Sequence, residues 1–333
     1  MSATTPSRLP KTLATSPPAY DRRLAARRPL AQLDGQTFIT DGGMETTLIF
    51  RDGLELPDFA SFVLLDDPDG LEALRAYYSS YMAIAAKHGV GIVLDTPTWR
   101  ANADWGARLG YSAEGLDDIN RRGVALLEEV RGGAGEGADM LVSGCIGPRG
   151  DGYRDESAMT TGEAESYHER QISIFARSGA DLVSALTMTY ADEAIGVVRA
   201  AEKAAIPAVV SFTVETDGRL PDGTALRDAV EAVDEATGSA AAYFMLNCAH
   251  PTHFESVLDD GAWLERLRGI RANASTKSHL ELDEATELDA GDPVELAGQY
   301  VRLRPRFPNL TVLGGCCGTD ERHIEEICAA WTA

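Results

Sequence analysis

Along this chain, short β-branched runs alternate with longer stretches whose apolar side chains return at every third or fourth residue. The short runs read as strands and the longer stretches as helices with one buried face. Eight strands are predicted, at residues 37–40, 91–94, 140–143, 181–185, 208–212, 242–246, 269–272 and 310–313. Helices are predicted between them over 71–88, 115–131, 162–178, 191–205, 225–237 and 293–304. Strand followed by helix is the signature of βαβ units and a parallel sheet. Eight strands separated by such helices point to an α/β protein built as a single closed (β/α)8 barrel of the TIM type.

A doubly wound open sheet uses similar units, but no G-x-G-x-x-G follows an early strand to mark a dinucleotide site. Gly132, Gly133, Gly135 and Gly137 form a glycine-rich turn that precedes a strand rather than a helix, the wrong context for holding a phosphate. The same absence weakens the case for a Rossmann-type adenosylmethionine methyltransferase. Residues 1–36 stand apart from the repeating pattern. They are rich in Ser, Thr, Pro, Ala and Arg and are expected to form a flexible N-terminal extension, with residues 37–333 as the barrel domain. Arg content and few acids also resemble a transit peptide, but no amphipathic apolar stripe is clear.

With 333 residues, 44% of them hydrophobic, the chain can bury one large core. The 30 Lys and Arg against 52 Asp and Glu leave a formal charge of -22, which disfavours nucleic acid and anionic membrane surfaces as partners. No run approaches the roughly 18 apolar residues that span a bilayer, and no charged-then-apolar start marks a secretory signal. A cytoplasmic location and small-molecule partners are expected, and self-association as a homo-oligomer is compatible with the sequence.

Five cysteines, Cys145, Cys248, Cys316, Cys317 and Cys328, are an odd number in a long chain and argue against a secreted disulfide framework. Reduced thiols are therefore expected. In a barrel, catalytic groups collect where strands run out into their helices. Cys248 follows the sixth strand, and Cys316 and Cys317 follow the eighth, so three sulfurs can converge on one tetrahedral ion. Adjacent cysteines on a regular strand point to opposite faces, so joint ligation needs the backbone to leave β geometry, which Gly314, Gly315 and Gly318 permit. Zinc suits three thiolates, and three protein ligands leave a fourth position for substrate. Taken singly, Cys248 is also a small buried hydrophobe, and Cys316-Cys317 a tight turn or a vicinal disulfide.

The run Asp41-Gly42-Gly43-Met44, the segments TPTWRAN at 96–102, GCIGPRGDGY at 144–153 and SFTVETDGRLPDGTALRD at 211–228, the pair Asn247-Cys248 and GGCCGT at 314–319 together resemble the homocysteine S-methyltransferase family. The resemblance covers about residues 37–330. It implies a (β/α)8 barrel with Zn2+ held by Cys248, Cys316 and Cys317, moving a methyl group from a sulfonium, ammonium or folate donor to homocysteine to give methionine. The partners it implies are a small thiol acceptor and a small methyl donor. A metal-bound thiol is deprotonated and fixed as a nucleophile, and an acidic mouth attracts a cationic donor. No second domain for folate or cobalamin fits, and the longer C-terminal arm of betaine-using relatives is lacking after Ala333, so S-methylmethionine or adenosylmethionine is favoured. Other readings are methyl transfer to a different thiol or selenol, transfer from another onium compound, or a non-catalytic zinc- or thiol-binding barrel.

The resemblance makes Asp41, at the end of the first strand, the contact for the amino end of homocysteine and matches Asn273 to a family asparagine that bonds the amino-acid moiety. Gly42, Gly43 and Thr187 are expected as further substrate contacts, and Glu45, which stands where the family carries a small residue, is expected as another. Asp before Gly-Gly is also ordinary turn chemistry, and Asn273 equally serves to brace its loop. Two departures from the family pattern stand out. Where many members carry Glu-Thr after the fourth strand, this chain has Leu186-Thr187, and an acid near the first strand is replaced by Thr47. Glu45 is expected to replace the missing carboxylate. Trp99 and Tyr190 can offer ring faces to a cationic donor or pack in the core. Cys145 reads as a buried thiol and Cys328 as inert. His250 or His253 would close the zinc site if either completed it, and for His88, His168, His279 and His323 surface or helix-end roles suffice.

Overall fold

The structure, a computed structural model, describes residues 27–133, 139–153, 158–258 and 260–333. Eight parallel strands close a barrel in chain order: β1 (Phe38–Ile39), β2 (Gly91–Asp95), β3 (Met140–Ile146), β4 (Leu182–Met188), β5 (Ala208–Phe212), β6 (Tyr243–Asn247), β7 (Leu267–Ala272) and β8 (Val312–Gly315). Closure comes from β8 lying beside β1, with Phe38 opposite Val312 and Ile39 opposite Leu313. All eight predicted strands are present, β5 at the predicted bounds and the others with shifted ends; β3 and β4 run on to Ile146 and Met188.

The outer ring consists of α1 (Pro68–His88), α2 (Ala113–Gly133), α3 (Thr161–Ser178), α4 (Ala191–Ala204), α5 (Leu226–Thr237), the single turn α6 (Pro251–Phe254), α7 (Pro293–Leu303) and α8 (Glu321–Thr332). Local chemistry sets their ends. Asp67 caps α1 by accepting from Gly70 N at 2.9 Å with Pro68 next in the chain, and Gly89 stops it at φ 65°. A reciprocal Thr160–Glu163 capping box starts α3. Among the described residues between β6 and β7 only α6 and short 3-10 turns cover the sheet, in keeping with the lack of a helical period there.

One apolar core fills the space between strands and helices, and a second, smaller one fills the barrel floor, where Phe38, Leu141, Val209 and Tyr243 meet. Part of the expected flexible extension belongs to this floor. Leu30, Ala31 and Leu33 pack against it, Ala31–Asp34 forms a 3-10 turn, and buried Gln32 donates to Tyr243 Oη at 3.3 Å. Arg27 donates to the carbonyls of Ala176, Ala180 and Ala205 at 3.1, 2.5 and 2.9 Å. The physical reason is that an open barrel end exposes an apolar layer and helix-end carbonyls that need partners. Residues 1–26, together with Gly135 and Gly137 of the glycine-rich turn, lie outside the described residues. Among the described residues no helix is long and apolar enough to cross a membrane.

Candidate active site

At the opposite, C-terminal end of the strands, the sulfurs of Cys248, Cys316 and Cys317 all lie within 4.8 Å of one another. The chain turns sharply there. Thr319 N donates to Cys316 O at 3.0 Å and Gly318 adopts φ 80°, the left-handed third position that a type II turn requires. The departure from β geometry expected for adjacent cysteines is thus made at Gly318. Gly314 and Gly315 stay in β8. The neighbouring Asp41-Gly42-Gly43 segment packs directly on this turn. Gly43 N donates to Thr319 O at 3.0 Å, and a Cβ at Gly43 would fall 2.5 Å from Cys316 O. Only glycine allows that approach.

Cys248 and Cys316 are joined by a disulfide, with Cα atoms 5.3 Å apart, while Cys317 is a free thiol 4.0 Å from Cys248 Sγ. This corrects the expectation of reduced thiols throughout, and the pairing is not the vicinal one. The ends of β6 and β8 flank β7, and their convergence brings two cysteines within bonding reach. Burial pushes the Cys317 thiol pKa up. The donor set fits zinc: sulfurs about 2.3 Å from a tetrahedral ion sit about 3.8 Å apart, close to the Cys248–Cys317 separation. Ligation by all three requires the Cys248–Cys316 bond to be reduced first.

The backbone around the sulfurs is held in unusual conformations. Cys248 has φ 55° and Thr187, at the end of β4, has φ 63°. Such left-handed residues cost on the order of 1–3 kcal/mol each and persist where surroundings enforce them. For Thr187 the enforcer is Asn247, whose Oδ1 accepts from Thr187 N and whose Nδ2 donates to Thr187 Oγ1, both at 2.8 Å. For Cys248 it is a pair of donors to its carbonyl: Asn273 Nδ2 at 2.9 Å and His279 Nε2 at 2.8 Å. Asn273 thus holds the Cys248 carbonyl rather than the loop that follows it, and it is not among the residues lining the cavity. The helix-end role expected for His279 understates it: the ring is buried, stacks on Tyr153 at 4.1 Å and reaches Cys248. Tyr153 Oη in turn lies 3.5 Å from Cys317 Sγ.

Beside the sulfurs, Arg271 of β7 donates to Asp41 Oδ1 and to Asp95 Oδ2, each at 2.5 Å, and to Gly315 O at 3.1 Å. Tyr77 donates to Asp41 Oδ2 at 3.0 Å. Burial drives the Asp41 pKa up to about 6 against the pull of Arg271, and drives that of Asp95 up as well. Asp41 thus keeps its place at the strand-one mouth, but both of its oxygens already have protein partners.

A cavity of about 610 Å³ opens over this arrangement, lined by the three cysteines and by Asp41, Gly42, Gly43, Glu45 and Thr187. Its size suits a small molecule. Acids dominate the charged lining, including Asp58, Asp151 and Asp289, against two guanidiniums, Arg100 and Arg271. Glu45 accepts from Ser61 at 2.7 Å, and burial raises its pKa. Leu186 presents an apolar wall, and Trp99 lines the cavity with its Nε1 donating to Leu186 O at 3.3 Å. Tyr190 accepts from Met159 N and is not in the lining. Thr47 is buried and bonded to Thr319 O. Cys145 lines the cavity as a buried thiol, while Cys328 is buried on α8. His250 pairs with Thr252 and His253 with Thr276, and neither joins the sulfur cluster.

Sequence reasoning missed Arg271, Asp95, Arg100, Tyr153 and His279. Asp95 satisfies the same strand-end rule that singled out Asp41, and a lone arginine within the buried run at 269–272 was a signal in its own right. His279 and Tyr153 come from loops distant in sequence, and only the fold brings them together.

Comparison with known proteins agrees with this geometry. The homocysteine S-methyltransferase family model matches residues 38–331. Homocysteine S-methyltransferase YbgG of Bacillus subtilis is 25% identical, the match covering 88% of this chain and 93% of that one. Homocysteine S-methyltransferase of Escherichia coli is 28% identical over 90% of this chain and 98% of its own. A selenocysteine Se-methyltransferase of Brassica oleracea var. italica is 23% identical, covering 90% of each chain. In structure, the oxidised form of the homocysteine methyltransferase MmuM from Escherichia coli superposes with a TM-score of 0.72 at 21% identity, over 90% of this chain and 98% of that chain, which supports the barrel fold. With one methyltransferase family model spanning the barrel from its first strand to its last helix, the chain belongs to the homocysteine S-methyltransferase family.

Proposed function

We propose that this protein transfers a methyl group from a small onium donor, S-methylmethionine or adenosylmethionine, to the sulfur of homocysteine, giving methionine, in a zinc-dependent reaction. The observation that carries this reading is the convergence of Cys248, Cys316 and Cys317 within 4.8 Å beside a cavity of about 610 Å³. When bound to these cysteines, zinc supplies the charge that lets a substrate thiol lose its proton at neutral pH. The chain's own residues bind and orient. Asn247, Asn273 and His279 hold the loops that aim the sulfurs, the acidic lining attracts a cationic donor, and the rings of Trp99 and Tyr153 offer π faces to it. In the transfer the donor's carbon–sulfur bond breaks with its electron pair kept on the donor sulfur, and the acceptor thiolate supplies the pair for the new bond. A neutral thioether is left on each side.

The test is to reduce the protein, load it with zinc, and supply homocysteine with S-methylmethionine deuterated in its methyl groups. With the homocysteine labelled with 15N, methionine carrying both 15N and CD3, which the donor's own CD3-methionine product lacks, seen by mass spectrometry with S-methylmethionine or with methyl-deuterated adenosylmethionine and lost in Cys317→Ser, supports the reading. Zinc retention without this doubly labelled methionine for either donor overturns it. A second reading, a different thiol or a selenol as acceptor, is favoured by apolar Leu186 at the position where the family pattern carries a glutamate; an acceptor panel that includes selenocysteine separates the two.

A further inference from the structure

The loop after β2 carries an arginine that stacks on two indoles and, among the described residues, has no hydrogen-bond or ion-pair partner. The Arg100 guanidinium carbon lies 3.7 Å from the ring centroid of Trp105 and 4.6 Å from that of Trp99. Both indoles are pinned, Trp105 Nε1 donating to Gly150 O and Trp99 Nε1 to Leu186 O, each at 3.3 Å. Among the described residues Arg100 makes no ion pair or hydrogen bond, and its Nε is buried without a partner. The other guanidinium of the cavity, Arg271, is spent on Asp41 and Asp95. A stacked, desolvated arginine with open donors is preorganised for a planar anion such as a carboxylate, which it grips in a forked pair of bonds.

Its surroundings narrow the anion further. Asp58 lies 3.5 Å from Arg108, and Asp151 accepts from Tyr153 N at 2.9 Å. Glu45 lies close enough to Arg100 for each to stabilise the other's charge, yet the two do not pair. Arg100, Glu45 and apolar Leu186 all line the same cavity, and a guanidinium without a hydrogen-bond partner together with a carboxylate matches a ligand that carries both a carboxylate and an ammonium group.

We propose that Arg100 and Glu45 together hold the zwitterionic head of an α-amino acid substrate, Arg100 taking the carboxylate and Glu45 the ammonium, in place of the carboxylate absent at Leu186. The site rests on the reading above that the cavity receives an amino-acid substrate. The head belongs to the acceptor or to the donor, and the experiment separates them.

Binding of three unreactive thioethers to the full reduced chain, measured by calorimetry, tests this without requiring methyl transfer: methionine, 3-(methylthio)propylamine without the carboxylate, and 4-(methylthio)butanoate without the ammonium. The parent should bind methionine about tenfold or more tightly than either truncated ligand. Arg100→Gln should erase the preference over the amine, and Glu45→Gln the preference over the butanoate. Equal binding of all three by the parent overturns the proposal even if the variants fail to fold. So does Arg100→Gln weakening methionine and the amine by the same factor. In kinetics, KM for homocysteine rising in Arg100→Gln assigns the head to the acceptor, KM for the onium donor rising assigns it to the donor, and no rise in either sinks the idea. A chain that shows the binding pattern but forms no methionine keeps this site and loses the proposed reaction.

Discussion

Arg271 donates to Asp41 Oδ1 at 2.5 Å across the mouth of the barrel, so the carboxylate expected to meet the substrate's amino end is already occupied by a cation from β7. The same guanidinium reaches Asp95 at 2.5 Å, which leaves two buried carboxylates sharing one positive charge. The family resemblance assigns Asp41 to substrate; the geometry makes it first a member of a buried ionic cluster. A contact of substrate with Asp41 must therefore compete with Arg271, which is why the proposal above gives the ammonium to Glu45 instead.

Removing the cation from this cluster should be costly. Arg271→Met leaves Asp41 and Asp95 buried beside each other with no guanidinium, and breaking a buried pair costs about 3–5 kcal/mol. Urea unfolding of the reduced protein should show that loss. Adding Asp41→Asn and Asp95→Asn to the same chain should recover most of it, because no uncompensated charge then remains. Arg271→Met within about 1 kcal/mol of the parent would show that the cluster contributes little to stability.

The raised pKa of Asp41 makes a signed prediction about pH. Its folded value of about 6 lies above its ordinary value of 3.8, so the folded protein holds a proton that the unfolded chain releases between these limits. The contribution of Asp41 to stability is fully present below the ordinary value and is lost as pH rises through about 6. A shift of this size corresponds to about 3 kcal/mol. The stability of the parent relative to Asp41→Asn should accordingly fall by roughly that amount from pH 3.5 to pH 7. A constant difference across the range would show that Asp41 ionises at its ordinary pKa.

The eight strands and the ring of helices were legible in the sequence because period and punctuation encode them locally, and the meeting of Cys248 with Cys316 and Cys317 was legible because the strand exits they occupy fall at the same end of a barrel. What escaped was the part that depends on long-range placement. Arg271 looked like one charge in a strand until the closed barrel put it between Asp41 and Asp95. His279 lies 31 residues beyond the Cys248 carbonyl it contacts, and nothing in the sequence links the two. Residues 30–33 read as tail because their apolar side chains are few and lack a period, yet the barrel floor gives them a surface to cover.

Oxidation state should control metal uptake. With Cys248 and Cys316 joined, two of the three sulfurs cannot act as thiolates. The oxidised protein is expected to take up no tightly held zinc, and after treatment with a strong thiol-free reductant it should hold about one ion per chain. Elemental analysis after desalting reads both states. Stoichiometric zinc in the oxidised protein, with the disulfide verified by mass spectrometry, would rule out the three-cysteine site.

Asn273 offers a test of how the cysteine loop is aimed. It touches no sulfur and does not line the cavity, but its Nδ2 donates to the carbonyl of Cys248, whose φ of 55° places that residue in the left-handed region. Asn273→Ala removes one of two donors to that oxygen and leaves His279 at 2.8 Å as the other. Groups that orient a ligand residue typically change metal affinity 10- to 100-fold when lost, so competition with a chelator should show zinc held about that much more weakly by a variant that remains folded. A general packing role would instead lower the urea midpoint of the zinc-free reduced protein and leave the zinc affinity of its folded fraction unchanged. Measuring both on the same preparation distinguishes a residue that positions Cys248 from one that only fills space beneath it.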